Sequence, residues 1–90
     1  MEIRKLVGAN MRRHRLAAEL SQEAMAERMG VDRAHVSSME RGQQNITLET
    51  LAAAADALGI RPGAFFEEGA AAAPAGIKAP RTRRLVSPRG

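Results

Sequence analysis

Three times between Ser21 and Gly59 the chain places a residue suited to open a helix a short way ahead of a glycine suited to close one. Ser21 precedes Gly30, Asp32 precedes Gly42, and Thr47 precedes Gly59. The side-chain oxygens of Ser, Asp and Thr satisfy free amides in the first turn of a helix. Glycine adopts the left-handed conformation that ends one. Only helices of about two to three turns fit between such brackets. Val31 alone separates Gly30 from Asp32, so two of these helices are joined by a very short turn.

The apolar spacing agrees with the punctuation. Ile3, Val7, Met11, His14 and Ala18 recur at intervals of four and three, which marks one face of a helix over Glu2–Ala18. A second helix follows Ser21, with Gln22 and Glu23 in its first turn and Met25, Ala26 and Met29 as its apolar stripe. A third runs from Arg33 to Arg41. After the loop Gln43–Ile46, a fourth extends from Thr47 to Leu58 with Leu48, Leu51, Ala52, Ala55 and Leu58 on its apolar face. Pro62 suits the first turn of a short fifth helix carrying Phe65 and Phe66. Nothing alternates with a period of two, so no strand is expected. The expected fold is all-α, five short helices over residues 1–66. Residues 67–90, rich in Ala, Gly, Pro and Arg without a sustained apolar pattern, read as a flexible, disordered basic tail.

Ninety residues make one small domain with a thin margin of buried surface, which favours support from a second subunit. The chain has no cysteine, so disulfides and thiolate metal sites are excluded. Its two histidines, His14 and His35, are too sparse for a histidine metal site. No metal or other cofactor is expected. The formal charge is +4, but residues 1–66 hold nine basic and eight acidic residues, so most of the excess falls in the tail. Charges interrupt the first twenty residues, and no apolar run approaches the ~20 residues of a membrane span. The expectation is a cytoplasmic chain without membrane contact.

The third helix carries the chemistry. At about 100° per residue, with Arg33 at zero, Ser37 falls near 40°, Arg41 near 80°, Ala34 near 100° and Ser38 near 140°. Val36 and Met39 fall near 300° and 240°, on the opposite side. The broad outer face is therefore small or cationic. Ala34, Ser37 and Ser38 are short enough to let a helix axis approach base edges in a major groove. Arg33, in the first turn, has the fork that pairs with guanine O6 and N7. Gln22, at the start of the second helix, suits a phosphate beside free backbone amides. An exposed polar face on an isolated helix would mean little. Two short capped helices, a glycine-containing turn and a small, basic outer face together point to duplex DNA.

The run Leu20–Ile60 closely resembles the Cro/C1-type helix-turn-helix family, also called the XRE family. Ser21-Gln22-Glu23 opens the second helix, Gly30-Val31 makes the turn, and Val36 followed by Met39-Glu40-Arg41-Gly42 closes the third. Asn45-Ile46-Thr47-Leu48 then precedes the fourth helix, and Ala57-Leu58-Gly59 ends it. The resemblance spans about Val7–Phe66. It implies a lambda-repressor-like domain in which Arg33, Ala34, Ser37 and Ser38 face bases. It also implies that Gln22, His35, Arg41, Gln43 and Asn45 touch the DNA backbone, with Arg15 and Glu40 forming a structural ion pair. Such proteins bind palindromic sites as two-fold dimers, so a homodimer is expected. Because two large apolar groups on one short helix are hard to bury in so small a monomer, one of Phe65 and Phe66 is expected to close the core and the other to join Leu58 and Ile60 in the interface. The chain departs from the family pattern in three places. His14 stands where an apolar residue is usual, Ala24 replaces a frequent glutamate, and the loop Gln43-Gln44-Asn45 is uncharged.

Two functions compete. One is a stand-alone transcription regulator, a repressor acting by operator occupancy and resembling the controller proteins of restriction–modification systems. The other is an antitoxin that binds a toxin partner and regulates its own gene through the same domain. Catalysis is not expected, because His35 near Asp32 has no nucleophile or metal cluster beside it. His14 reads as a half-buried structural residue, and Met11, Met25, Met29 and Met39 as core filler.

Overall fold

The computed structural model describes residues 2–71, so the basic stretch Lys78–Arg89 lies outside the described residues. The elements run α1 (Ile3–Ala17), α2 (Gln22–Met29), α3 (Arg33–Glu40), α4 (Leu48–Leu58), a 3-10 turn (Pro62–Phe66) and a single helical turn, α5 (Glu68–Ala71). No strand occurs among the described residues. The class is all-α, as expected, with two departures at the C-terminal end. The expected fifth helix is a 3-10 turn, whose Phe65 carbonyl, with that of Glu67 beyond it, is taken by the Asn10 amide rather than by a continuing helix. A further helical turn, α5, lies inside the segment expected to be a tail, packed against α1.

Local chemistry sets the ends of the elements. Glu2 opens α1, its carboxylate accepting from the Arg4 amide at 3.0 Å. The Ser21 hydroxyl accepts from the Ala24 amide at 3.0 Å, and Thr47 Oγ1 accepts from the Thr50 amide at 3.1 Å. Asp32 occupies the N-cap position of α3, but its carboxylate makes no capping bond. Gly30, Gly42 and Gly59 all take left-handed backbone angles, with φ of 75°, 74° and 67°. At Gly30 and Gly59 the chain then bonds back onto its helix, Val31 N to Ala26 O and Ile60 N to Ala55 O, both at 3.0 Å.

The core gathers one residue or more from every long element: Val7 and Met11, Met25 and Ala26, Val36 and Met39, Leu51, Ala54, Ala55 and Ala57, closed by Phe65. Met29 packs at its edge. On α4 the buried side is mostly alanine, which brings that helix close to α2. Two residues expected on this face lie outside it, for Ala52 is exposed and Leu48 is 81% exposed. On α1, Ile3 and Ala18 are exposed while Asn10 is fully buried. Asn10 Nδ2 donates to the carbonyls of Phe65 at 2.8 Å and Glu67 at 3.0 Å. That amide fastens the C-terminal turn to α1, and with it the core's one buried aromatic ring.

Candidate nucleic-acid interface

The placement of α3 rests on a buried charge pair and a close helix crossing. Arg15 Nε donates to Glu40 Oε2 at 2.7 Å, and Arg15 Nη2 to Glu40 Oε1 at 3.0 Å. Both side chains are buried. Every nitrogen and oxygen of the two charged groups has a partner. Arg15 Nη1 donates to the Leu20 carbonyl at 2.7 Å, and Gln22 Nε2 donates to Glu40 Oε1 at 3.1 Å. A buried ion pair tolerates its desolvation only when satisfied in this way. The cluster ties α1, the α1–α2 link, the start of α2 and the last turn of α3 into one unit. Beside it, Gly8 lets the α1 backbone meet the end of α3. A Cβ there would sit 2.7 Å from the Glu40 carbonyl oxygen and closer still to that of Met39.

With Val36, Met39 and Glu40 turned inward, the rest of α3 faces out. Arg33 and Ala34 are exposed, and His35, Ser37 and Ser38 are half-buried. Arg33 Nη1 donates to Gln22 Oε1 at 3.4 Å. The Glu40 carboxylate can only accept, so it takes the Gln22 amino group and turns the amide oxygen towards Arg33. In this state the Gln22 amino group is engaged by Glu40 rather than free for a phosphate. At the far end of the helix, Arg41 Nη1 donates to Ser37 Oγ, and Arg41 Nε to Gln43 Oε1 at 3.2 Å. Asn45 Oδ1 accepts from Arg4 Nη1 at 3.4 Å. One outward strip thus joins Gln22 and Arg33, Ser37, Arg41 and Gln43, then Asn45 and Arg4. His35 makes no side-chain hydrogen bond with these residues among those described.

Three contributors escaped the sequence reading. Gly8 lies seven residues before Arg15, nearly the same angle on a helix, so a glycine in mid-helix on the Arg15 face was a usable sign of close backbone approach. The bond from Gln22 to Glu40 and the contact from Arg4 to Asn45 join residues far apart in sequence, and no local pattern signals them. Among the described residues, no group of three or more His, Asp or Glu could hold a metal ion.

The helix-turn-helix family model matches residues 11–65, the stretch that contains the charge pair, the turn and the outward helix. This chain belongs to the helix-turn-helix family. It is a DNA-binding transcription regulator of the XRE type. Among its relatives, the HTH-type transcriptional regulator y4dJ of Sinorhizobium fredii is 45% identical over 60 residues, 67% of this chain and 78% of the relative. The control protein C.SmaI of Serratia marcescens is 41% identical over 58 residues, 64% of this chain and 69% of the relative. Among solved structures, the restriction–modification controller protein C.AhdI from Aeromonas hydrophila superposes with a TM-score of 0.68 at 40% identity, covering 70% of this chain and 96% of that one. Nothing in these relatives supports a toxin partner.

The expected interface residues do not all reach the surface. Phe65 is fully buried in the core, with its ring edge-on to His14, and is unavailable to a partner. Leu58 and Ile60 are half-buried against the same core. Phe66 remains, 44% exposed. It lines a shallow groove with Ile3, Ile46 and Leu48, a grouping that brings the two ends of the described chain together. No helix among the described residues is long and apolar enough to cross a membrane.

Proposed function

We propose that this regulator binds a palindromic operator as a homodimer and reads bases through Arg33, Ala34, Ser37 and Ser38. Arg41, Gln43 and Asn45 set its position on the backbone, with His35 at the margin. The observation that carries this reading is the outward strip of α3, held from behind by the Arg15–Glu40 pair. The groove walled by Ile3, Ile46, Leu48 and Phe66 supports the dimer, because an apolar face of this kind is costly to leave in water on so small a protein. Likeness to C.SmaI and C.AhdI favours a restriction–modification controller over other small regulators. Such a role is non-catalytic and belongs where chromosomal DNA lies, in the cytoplasm.

Selection of bound duplexes from a random pool tests the proposal. The expected consensus is a palindrome whose half-site centres lie about one turn, ~34 Å, or a multiple of it apart. With Arg33→Ala, one base pair per half-site should lose its preference at a cost of about 1–3 kcal/mol. Failure to enrich any duplex would overturn DNA reading, and an asymmetric single site would overturn the dimer.

A further inference from the structure

The first turn of α1 lies against the loop that follows the recognition helix, and it brings two cations there. Gly42, just past α3, sits so close to Lys5 that an added Cβ would fall 2.7 Å from Lys5 Cγ and 2.9 Å from its Cα. Next to Lys5, Arg4 reaches the same loop through its 3.4 Å contact with Asn45. The rest of the Arg4 guanidinium meets Glu2, with Nε on Oε1 and Nη2 on Oε2, each at 3.4 Å. That two-point arrangement is the one a guanidinium makes with a phosphate as readily as with a carboxylate. It is long, and both side chains are about half exposed, at 45% and 46%, so the pair contributes little to stability.

We propose that Arg4 is a DNA-backbone contact, and that Glu2 occupies the position a phosphate takes when the duplex binds. The inference rests on the reading of α3 and its following loop as the DNA-facing strip. Asn45, at the end of that strip, would hold the guanidinium in place while the carboxylate gives way to phosphate. The loop itself carries no charge, so Arg4 supplies from α1 the cation that Gln43-Gln44-Asn45 lacks. Residues 1–66 hold only one basic residue more than acidic ones, so exchanging an internal anion for an external one weighs heavily in their electrostatics. Glu2 then acts as an internal competitor, tempering attachment to any phosphate backbone irrespective of sequence.

The test uses the full chain, the duplex enriched by selection and a scrambled duplex, with affinity measured over a range of salt concentration. Arg4→Ala should weaken both duplexes alike and flatten the log-log salt dependence by about 0.9 per bound protomer. Glu2→Gln, which keeps an oxygen for the α1 cap, should tighten both duplexes at low salt. Arg61→Ala removes an exposed arginine from the turn after α4 and should leave the slope unchanged. Circular dichroism of each variant should match the parent. A parent slope that survives Arg4→Ala overturns this inference alone. A parent chain that binds neither duplex overturns the DNA reading along with it.

Discussion

Residue by residue, the site divides into groups that hold and groups that touch, and the holding groups are the less replaceable. Arg15 and Glu40 are both buried with each side-chain nitrogen and oxygen of the charged groups partnered, so removing either strands the other. Arg15→Met should cost about 3–5 kcal/mol, read as a lowered urea midpoint. Replacing both partners with apolar residues of similar volume should restore part of that loss. His14 gives a second residue-scale test. Burial in the first place, and the positive charge of Arg13 in the second, hold its pKa below the usual 6.5, while the Glu67 carboxylate opposes them. Arg13 Nη2 lies 3.0 Å from His14 Nε2, and a guanidinium can only donate, so the folded ring is neutral with its proton on Nδ1. The unfolded chain therefore binds the proton first. Stability from this group is complete above its ordinary pKa and is lost as pH falls through the lowered one. Urea midpoints measured from about pH 7 down to pH 5 should fall, and His14→Gln should flatten that part of the profile.

Among the elements, the crossing of α1 over the end of α3 is the least forgiving contact. An alanine at position 8 would gain up to about 1 kcal/mol in helix propensity. It would also drive a methyl into two backbone carbonyls that have no free rotation to escape it. Overpacking of this kind costs about 1–3 kcal/mol, so the clash wins. Gly8→Ala should lower the thermal midpoint and weaken operator binding together, since α3 must shift to admit it. A lone rise in the midpoint would refute the crossing. The helices themselves were legible because caps and terminators act within a few residues. Ser21, Gly30, Thr47 and Gly59 each do their work locally. The short elements after Arg61 were not legible, since their form depends on Asn10 reaching across from α1 to the carbonyls of Phe65 and Glu67. The outward face of α3 followed from angular spacing alone. What stands behind it did not, for the Gln22 amide takes its orientation from a carboxylate eighteen residues away.

On the scale of the whole molecule, the apolar groove is where sequence periodicity misleads. Leu48 fits the α4 stripe by spacing, yet as the first residue of the helix it lies beyond the edge of the core and lines the groove instead. Phe65 and Phe66 are adjacent and chemically identical, yet neighbouring positions of the 3-10 turn point to different sides, and the one whose carbonyl Asn10 holds enters the core. Leu48→Asp changes a side chain that the monomer scarcely buries, so folding should be preserved. If the dimer forms across this groove, that chain should sediment as a monomer, and operator affinity should fall in step. A Leu48→Asp dimer of normal stability would place the interface elsewhere.

The anchoring of α3 entirely from its inner side has a bearing on how such a protein changes over generations. Gly8, Arg15, Val36, Met39 and Glu40 fix the helix from within, while Arg33 and Ala34 are exposed and the small Ser37 and Ser38 are only half-buried. The links those outer residues do make, Arg33 to Gln22 and Ser37 to Arg41, are exposed and contribute little to stability. The vocabulary of the proposed reading surface can therefore be rewritten while the grammar that holds it stays intact. A lineage could acquire a new operator through a few substitutions without crossing an unstable intermediate, and a library randomised at these four positions should yield mostly folded chains.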